Sequence, residues 1–419
     1  MKVIWMFNHD ACMPDTGPLL RHYYFSKGLT SKGFKTTVFA SNQIHFNDVI
    51  VDTKGKKFIV KFYNDLPFVY IKTRKYKGNG ISRVLNMISY FINLFPATKD
   101  YEKLTSKPDV IIGSSVHPLS CVAAILIARR YKVPNIVEIR DLWPEALFSF
   151  GKVKEQSILG KSLLCGERWI YENANAIIFT KEGDIDHIKE MKWDVDQGGN
   201  IDLKKCFYIN NGVDLDEFSL NGKNTQISDK DLTDESFKII YTGTIRPVNN
   251  LDKVLDAAKI LKVDSDIKFL IYGYGNELER LSKRVVDENL TNVKFKGYVD
   301  KRNVPYILSK ASANLLNYSQ SKYNWSRGNS SNKLFEYMAS GKPIISTIKM
   351  GYSIIDKYQC GFTLSEDTSE ELARVVLKVK NLDRENYEEI CKNAQNGASF
   401  FDFKVLTDKL YNVLILLMK

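Results

Sequence analysis

Short apolar runs alternate with amphipathic stretches along the first half of the chain. Five of these runs predict buried strands, which cover residues 2–8, 36–40, 110–114, 135–139 and 176–180. Helical spacing is found between them, at residues 19–32 and 119–131, and Gly33 stands where the first helix would stop. Strands that are apolar throughout and separated by helices are typical of a parallel sheet with helices on both faces.

The alternation is interrupted once, near the middle of the chain. Residues 214–237 are polar and rich in acidic side chains, so they are interpreted as a surface linker between two domains. After them the pattern resumes, and it predicts further strands and helices at 238–241, 250–261, 268–272, 292–296 and 314–316. The predicted fold class is therefore α/β, with two doubly wound domains. Ligands of such sheets bind outside the carboxyl ends of the strands, so the loops there are the places to look for chemistry.

The composition excludes several classes of protein. The chain has 419 residues, more than a usual single domain. Its composition, with 44% hydrophobic and 26% charged residues, is typical of neither a disordered nor a fibrous protein. The six cysteines are scattered without a C-x-x-C pair, which argues against a disulfide scaffold or a zinc ribbon and fits a reducing, cytoplasmic setting. Polar residues interrupt the first apolar run at Asn8, so no signal peptide is expected. No run approaches the roughly 20 apolar residues of a membrane-spanning helix.

The segment SRGNSSNKLFEYMASGKPIIS, residues 326–346, carries the strongest local signal. A polar loop leads into a helix that ends at Gly341, and Lys333 and Glu336 share one face at the start of that helix. A lysine near the free N–H groups of a helix start suits a diphosphate, and a glutamate one turn later can accept two hydrogen bonds from a ribose diol. A surface Lys–Glu pair on an amphipathic helix explains the spacing equally well.

This segment resembles the signature of the retaining family 4 glycosyltransferases, which have the GT-B fold. In that family a Glu-x7-Glu element precedes a strand. Its second glutamate binds the nucleotide ribose, and a lysine three residues earlier binds the diphosphate. These two residues correspond here to Glu336 and Lys333. Gly328 stands where the first glutamate of the pattern is found. The run is similar to a bacterial surface-polysaccharide subgroup resembling N-acetylfucosamine-type transferases, in which glycine is usual at that position. The resemblance implies that backbone amides at 328–330 contact the sugar or the diphosphate.

Two further segments resemble the donor-binding half of the same family. The loop YTGTIRPVNN is similar to one that carries an arginine and a lysine for the diphosphate; Arg246 is displaced by two positions, and Asn249 replaces the lysine. The run IYGYGNELERL has the family's Gly-x-Gly turn, at Gly273 and Gly275, and lacks the third glycine of a dinucleotide fingerprint.

Segments of the N-terminal half resemble the family as well. Gly17 lies in a loop similar to the family's glycine loop, where backbone amides would approach the donor diphosphate, and Arg21 and His22 follow it. His117 comes at the end of a strand, where such enzymes have a substrate-contacting histidine, although a lone histidine is more often structural. The segment EIRDLWPEAL is similar to the subgroup's loop after a buried strand; an ion pair within it, between Arg140 and the next residue, is the alternative interpretation.

The resemblance implies a GT-B glycosyltransferase with two Rossmann-like domains facing across a cleft. The acceptor side would be residues 1–215 and the nucleotide-sugar side 216–400, with a C-terminal helix at 401–419 packing back on the first domain. The catalytic residues would be Lys333, Arg246 and His117. The donor would contact Gly17, Gly243, Gly273, Gly275, Gly328, Asn329, Ser330, Asn332, Lys333, Leu334 and Glu336. The acceptor would contact Arg21, His22, Arg140, Asp141 and Glu145.

The implied reaction retains the sugar's configuration and moves it from a nucleotide-sugar, UDP-linked, to a lipid-diphosphate-linked or glycan acceptor in bacterial O-antigen or capsule assembly. No cofactor and no metal are expected; Asp-x-Asp pairs at 184/186, 214/216 and 264/266 are weak metal signals in an Asp-rich chain. A nucleotide-sugar epimerase of similar fold is the rival enzyme, and a basic nucleic-acid-binding protein is the rival from another class. Release of UDP from a UDP-sugar would separate all three.

Basic residues concentrate in one segment of the first half. The net charge is +11, which suits nucleic acid, an acidic membrane or a phosphate-bearing substrate as a partner. Residues 51–107 contain twelve Lys or Arg against four Asp or Glu, and the apolar run 84–95 within them has a helical spacing of polar residues. This run is interpreted either as a core helix beside a basic loop or as a helix that lies in a membrane interface, and the sequence leaves both open.

Overall fold

The computed structural model describes residues 1–45, 49–78, 80–149 and 151–418. It divides the chain into two compact units. Unit 1 comprises Met1–Asn210 and Phe403–Lys419, and unit 2 comprises Asn211–Asp402. The division at residue 210 is near the predicted boundary after residue 215.

The sheet of unit 1 follows the apolar runs of the sequence. Its strands are β1 (Val3–Phe7), β2 (Lys35–Ser41), β3 (Phe58–Tyr63), β4 (Leu66–Ile71), β5 (Val110–Ser114), β6 (Asn135–Ile139), β7 (Ala176–Phe179) and β8 (Cys206–Tyr208). Neighbouring strands lie in the order β3-β4-β2-β1-β5-β6-β7-β8, and all pairs are parallel except the antiparallel hairpin of β3 and β4. The helices before residue 210 are α1 (Arg21–Ser31), α2 (Ile81–Leu104), α3 (Pro118–Tyr131), α4 (Trp143–Ser149), α5 (Ile158–Asn173) and α6 (Asp184–Glu190).

Both faces of this sheet are covered, as the uniformly apolar strands predict. In β1, Ile4 and Met6 belong to one buried cluster together with residues of α1. Trp5 and Phe7 point the other way, into a second cluster that includes residues of α2 and α3. Because successive strand residues face opposite sides, both sets must be apolar when helices pack on both.

Unit 2 contains a second, wholly parallel sheet. Its strands are β9 (Phe237–Thr242), β10 (Ile267–Tyr272), β11 (Val293–Gly297), β12 (Ala313–Leu316), β13 (Ile344–Ser346) and β14 (Gly361–Thr363), in the order β11-β10-β9-β12-β13-β14. Its helices are α7 (Leu215–Asn224), α8 (Lys230–Thr233), α9 (Leu251–Ile260), α10 (Leu278–Asp287), α11 (Val304–Ser309), α12 (Asn332–Ala339), α13 (Ile354–Lys357), α14 (Ser369–Lys380) and α15 (Arg384–Ser399). The predicted α/β class with parallel sheets is confirmed.

The last helix, α16 (Phe403–Leu417), packs on α1 of unit 1. The rings of Tyr24 and Phe403 stack at 4.5 Å between centroids. A Cβ at Gly28 would lie 2.7 Å from the Thr407 hydroxyl oxygen, so the glycine allows the two helices to approach closely.

The polar segment 214–237 is not a linker, contrary to the sequence interpretation. It forms α7 and α8, and Leu232 is buried in a core cluster of unit 2. Its acidic side chains pair with lysines of the sheet, because Lys296 Nζ lies 2.9 Å from Asp229 and 2.5 Å from Asp231. The high polarity of this segment therefore reflects internal ion pairs.

Among the described residues, no helix combines the length and the apolar character needed to cross a bilayer.

Candidate functional site

The start of α12 lies where several parallel strands of unit 2 end. The loops after β9, β10 and β12 leave the sheet at its carboxyl edge, and the loop after β12 leads into α12. The Asn329 side chain accepts a hydrogen bond from the Ser331 N–H at 2.7 Å, which turns the chain into the helix. The first N–H groups of a helix have no partners within the helix, so this edge is suited to an anion.

Lys333 is enclosed by two tyrosine rings that sequence reasoning missed. Its ammonium nitrogen lies 4.3 Å from the ring centroid of Tyr241 and 4.6 Å from that of Tyr318. It donates to the Tyr241 hydroxyl at 3.0 Å, and that hydroxyl donates to the Thr244 carbonyl at 2.7 Å. Burial lowers the pKa of Lys333 to about 7. Among the described residues no carboxylate forms an ion pair with Lys333, so an arriving anion would supply the counter-charge.

Glu336 lies one turn after Lys333 and has its own partner. Its carboxylate is 9% exposed and accepts a hydrogen bond from Lys301, which lies in a short helix after β11. The next residue, Tyr337, accepts from the Thr242 N–H at 3.0 Å, and this bond fixes α12 against the end of β9. Lys301 was absent from the sequence prediction, since no spacing connects it with α12.

The predicted glycines bring the loops of this edge together. Gly273 has φ +149°, and a Cβ there would lie 1.7 Å from the Gly243 carbonyl oxygen. A Cβ at Gly275 would lie 2.0 Å from the Ile245 carbonyl oxygen, so side chains are excluded at both positions. Gly243 itself leaves room for Lys333, whose Nζ would be 2.8 Å from a Cβ. These glycines therefore permit close packing of the loop backbones, and their contact with a ligand stays a prediction.

The other predicted donor contacts differ in burial and in whether their backbone N–H groups are already bonded. Leu334 is fully buried in the core, and its N–H donates to the Ser331 carbonyl at 3.2 Å. Gly328 has φ +101° and donates its N–H to the Trp325 carbonyl at 3.1 Å. Ser330 and Asn332 are partly exposed at the start of the helix. Their predicted roles are untested.

Arg246 is exposed on the loop after β9, whereas Asn249 of the same loop is buried. Asn249 accepts a hydrogen bond from the Thr244 hydroxyl at 3.2 Å, and its carbonyl accepts one from Asn317. The residue that replaces the family's lysine therefore holds the loop in place.

In unit 1, Arg21 and His22 contact Glu138, and the prediction that they contact an acceptor is untested. Both are buried, and the Arg21 guanidinium donates to Glu138 at 2.8 Å and to the Ile209 carbonyl at 2.8 Å. His22 lies 3.4 Å from the same carboxylate. Burial alone would raise the pKa of Glu138, but the charge of Arg21 and contact with His22 hold it well below its usual range.

His117 has the opposite surroundings. It is 1% exposed at the start of α3, and within the described part of the chain neither of its ring nitrogens has a hydrogen-bond partner. An unsatisfied buried polar group costs about 1–3 kcal/mol, which a ligand that supplies the missing bond would recover. The geometry is therefore compatible with the predicted substrate contact.

Three further acceptor-side predictions fall after β6. Asp141 is half exposed and its carboxylate lies 3.1 Å from Lys181, so its ion pair is with Lys181. The Arg140 N–H donates to the Ser115 hydroxyl at 3.0 Å. Glu145 lies in the first turn of α4 and is not in the preceding loop.

Gly17, a predicted donor contact, packs against Cys12, and its N–H donates to the Met13 carbonyl at 3.2 Å. Contact of Gly17 and of the three acceptor-side residues with substrate is untested.

The Asp-x-Asp pairs have individual roles in the fold. Asp214 caps α7 by accepting from the Glu217 N–H at 3.0 Å, and Asp264 pairs with Lys380 at 2.5 Å. Within the ranges that the structure describes, no group of three or more His, Cys, Asp or Glu side chains is arranged to hold a metal ion.

Comparison with known proteins finds similarity in the C-terminal unit. Residues 222–397 match the family model described as glycosyl transferases group 1. TuaH of Bacillus subtilis, named for teichuronic acid biosynthesis, is 26% identical over 225 residues, which are 52% of this chain and 54% of TuaH. The poly(ribitol-phosphate) alpha-N-acetylglucosaminyltransferase of Staphylococcus aureus is 25% identical over 52% of this chain and 40% of its own. The chain spans about half the length of the curated relatives it matches.

Solved structures are similar over the full length of the chain. Anabaena HepE in complex with UDP has a TM-score of 0.68 at 15% identity and covers 100% of both chains. The fold is therefore GT-B, as the resemblance implied.

Removal of the Glu138 charge is expected to destabilise unit 1 strongly. Glu138→Gln leaves the buried Arg21 guanidinium without a counter-charge, which should lower the free energy of unfolding by about 3–5 kcal/mol. Urea unfolding followed by tryptophan fluorescence measures this, since Trp5, Trp143, Trp169 and Trp193 are all in unit 1. The glutamate's contribution exists above the unfolded pKa of about 4.3 and is lost as pH falls, so the two proteins should converge in acid.

Asp100→Asn is the matched control, because Asp100 pairs with Lys57 at 3.1 Å on the exposed surface. Its effect should be small, because solvent screens an exposed ion pair. A Glu138→Gln effect no larger than that of the control would contradict the structural role.

Proposed function

We propose that the protein is a retaining glycosyltransferase that transfers a sugar from a UDP-sugar to a lipid-linked or glycan acceptor in bacterial surface-polysaccharide assembly. The observation that carries this proposal is the start of α12, where Lys333 lies between two tyrosine rings and Glu336 follows one turn later. Both residues are within the part of the chain that matches the glycosyl transferases group 1 model.

Lys333 would neutralise the leaving diphosphate. In the transfer, the bond between the sugar's anomeric carbon and the diphosphate oxygen breaks while the acceptor hydroxyl forms its bond on the same face. Negative charge then grows on the diphosphate, which takes the acceptor's proton, so no strong protein base is required. A preorganised donor aimed at developing charge contributes about 3–4 kcal/mol. The tyrosine rings displace part of the water around Lys333, so its field is screened less than in bulk water.

Glu336 would bind the ribose of the donor. Its partner Lys301 lies after β11 and would remain beside the nucleotide, so that the carboxylate stays paired when a diol arrives. Arg246 is exposed on the neighbouring loop and is proposed as a second cation for the diphosphate. No metal is part of this scheme, and transfer is expected to continue in EDTA.

The choice of donor and pathway is supported by the similar proteins. HepE binds UDP in its crystal structure, and TuaH is named for the biosynthesis of a cell-wall polymer. In unit 1, the partnerless ring of His117 is proposed to hydrogen-bond a hydroxyl of the substrate.

A lipid-linked acceptor would require a surface that meets the membrane, and α2 offers one. Its residues Tyr90 and Leu94 are buried, whereas an apolar stripe of four residues is 38–80% exposed. This stripe consists of Ile81, Val84, Ile88 and Ile92. One face of the helix is therefore part of the core, and the exposed stripe on another face is proposed to meet the membrane.

A basic strap, residues 72–77, runs beside the stripe. The polar side chains of α2 hold its backbone, since Asn86 donates to the Arg74 carbonyl at 2.5 Å and Asn93 donates to the Lys72 carbonyl at 2.7 Å. The strap's exposed cations are Lys72, Arg74, Lys75 and Lys77. Each Lys or Arg near an anionic bilayer contributes about 1 kcal/mol of attraction, so strap and stripe together are proposed to bind an anionic membrane.

The kinetic test separates the two residues of α12. Glu336→Ala removes binding present in both the ground and transition states, so KM for the donor should rise more than kcat falls. Lys333→Ala removes a contact that strengthens as charge develops, so kcat should fall by about 10²-fold or more. Release of UDP from a panel of UDP-sugars, with and without acceptor, is the measurement, and release that needs no acceptor would favour an epimerase.

Lys310→Ala is the matched control for Lys333, because Lys310 also lies over a tyrosine ring, that of Tyr306 at 5.2 Å, at the end of α11. It should leave turnover unchanged. Folded Lys333 and Glu336 variants with normal turnover would refute the proposed site.

Binding of UDP should weaken as pH rises through 7. The pKa of Lys333 is about 7, so the free protein loses this charge above pH 7 and must take up a proton when the diphosphate binds. Affinity should fall by up to tenfold for each pH unit above about 7. Calorimetry in buffers of different ionisation enthalpy counts the proton directly. The Lys333→Arg variant stays charged, so its affinity for UDP should not change with pH. The affinity of the wild type for uridine should also be independent of pH. A wild-type affinity for UDP that does not change with pH would contradict the role of Lys333.

Vesicle sedimentation tests the membrane surface. Vesicles with anionic phosphatidylserine should bind the protein at low salt and less at high salt, and neutral phosphatidylcholine vesicles should bind it weakly. Ile88→Asp with Ile92→Asp should abolish binding and leave UDP binding intact. The control changes Ile158 and Leu159, exposed apolar residues of α5, to Asp and should bind normally. Equal binding to both kinds of vesicle would refute the electrostatic part.

A further inference from the structure

A buried polar cluster lies after β1 in unit 1, outside the groups assigned so far. It contains His9, Asp10 and Asn86, which are at most 4% exposed. His9 Nδ1 lies 2.5 Å from an Asp10 carboxylate oxygen, and His9 Nε2 lies 2.6 Å from the Asn86 side-chain oxygen. The edge of the His9 ring meets His117, with 4.9 Å between ring centroids.

The orientation of the Asn86 amide follows from its other contacts. Its NH2 group donates to the Arg74 carbonyl at 2.5 Å and to the Thr73 hydroxyl at 2.9 Å. A carbonyl can only accept, so the nitrogen of the amide must face Arg74 and the oxygen must face His9. The Thr73 hydroxyl donates onward to Asn42 at 3.0 Å, which agrees with its accepting from Asn86.

Both atoms that face the His9 ring are therefore acceptors. The Asn86 oxygen has no proton to give. The proton shared by His9 and Asp10 is on the ring, because imidazole is a stronger base than a carboxylate and Arg83 lies 3.7 Å from the second Asp10 oxygen, where its positive charge favours the ionised carboxylate. Each ring nitrogen of His9 must then carry a proton, since a bare nitrogen facing a buried oxygen would leave both lone pairs unsatisfied.

We infer that His9 is a buried imidazolium at neutral pH, held by Asp10 and Asn86, and that it is a positioning residue that keeps the neighbouring His117 neutral. This inference deepens the proposed function and rests on it for the role of His117. A neutral imidazole offers one donor and one acceptor, which is what a sugar hydroxyl needs, whereas an imidazolium only donates. Burial and the charge of His9 lower the pKa of His117 well below its usual range.

Other charged and titratable groups also face this pair. Arg83 of α2 lies 3.7 Å from the second Asp10 oxygen, and the Tyr90 ring meets His9 edge-on at 5.0 Å. His45, in the loop after β2, acts on Asp10 through its charge. Arg83 and the His9 ion together outweigh the single negative charge of Asp10, so the cluster disfavours a further proton on His117.

Nitrogen-15 NMR of the histidine rings in the full-length protein tests the inference without any ligand. A histidine of ordinary pKa, about 6.5, is about nine-tenths neutral at pH 7.5. The chain has five histidines, and the signal missing from His9→Gln identifies His9. Both of its nitrogens should be protonated at pH 7.5, and those of His117, identified through His117→Gln, should show a neutral ring. A neutral His9 in the wild type would overturn the inference whether or not any variant folds.

Substitutions at position 86 test how the charge of His9 is maintained. Asn86→Leu removes the acceptor and should make His9 mostly neutral at pH 7.5, whereas Asn86→Asp keeps an acceptor and should leave it charged. Ser89→Ala is the matched control, because Ser89 accepts from the Arg74 N–H at 2.9 Å and so supports the same strap without touching His9. In His9→Gln the titration midpoint of His117 should rise. An unchanged midpoint would overturn the proposed action on His117, and it would leave the glycosyltransferase proposal, which depends on α12, to be judged separately.

Discussion

The structure of unit 2 at the sheet edge depends on holding one ammonium group, that of Lys333, between two tyrosine rings and partly out of water. Two ring faces and a phenol oxygen compensate only part of the lost hydration, since a cation–π contact contributes about 0.5–2 kcal/mol. The remainder appears as the lowered pKa of the lysine. The neighbouring features serve this arrangement: Gly243 leaves space for the side chain, and Tyr337 fixes the helix that carries it. Partial desolvation of the lysine costs free energy, and a bound anion would recover it by supplying the counter-charge.

Unit 1 shows what a compensated charge looks like by contrast. Arg21 and Glu138 satisfy each other and the ends of neighbouring strands, so they stabilise the fold and offer nothing to a ligand. His117 is equally buried, yet neither ring nitrogen has a hydrogen-bond partner among the described residues. The two groups are similar in burial. Their chemistry differs because Arg21 and Glu138 bond each other, whereas the ring nitrogens of His117 are left for a ligand.

Sequence reasoning found what local pattern determines. The buried strands and the helix at Lys333 were predicted, because apolar runs and short spacings act within a few residues. The polar segment 214–237 was misjudged, since Lys296, which pairs with Asp229 and Asp231, is more than 60 residues away. The hairpin β3–β4 was missed because it lies in a basic stretch, although Asn64 and Asp65, both with positive φ, form its turn. Tyr318 and Lys301 are brought to α12 only by the sheet, so no spacing could reveal them.

The polar residues of α2 illustrate how a pattern can be real and its explanation hidden. Their spacing predicted a helix that lies either in the core or in a membrane interface, and the structure shows that they bind the backbone carbonyls of the strap. Asn86 does this with its nitrogen and has its oxygen left for His9. An amide has one donor end and one acceptor end, so the contact with the surface strap decides which end faces inward. The protonation of a buried histidine thus follows from a carbonyl at the protein surface, a connection that is visible only in three dimensions.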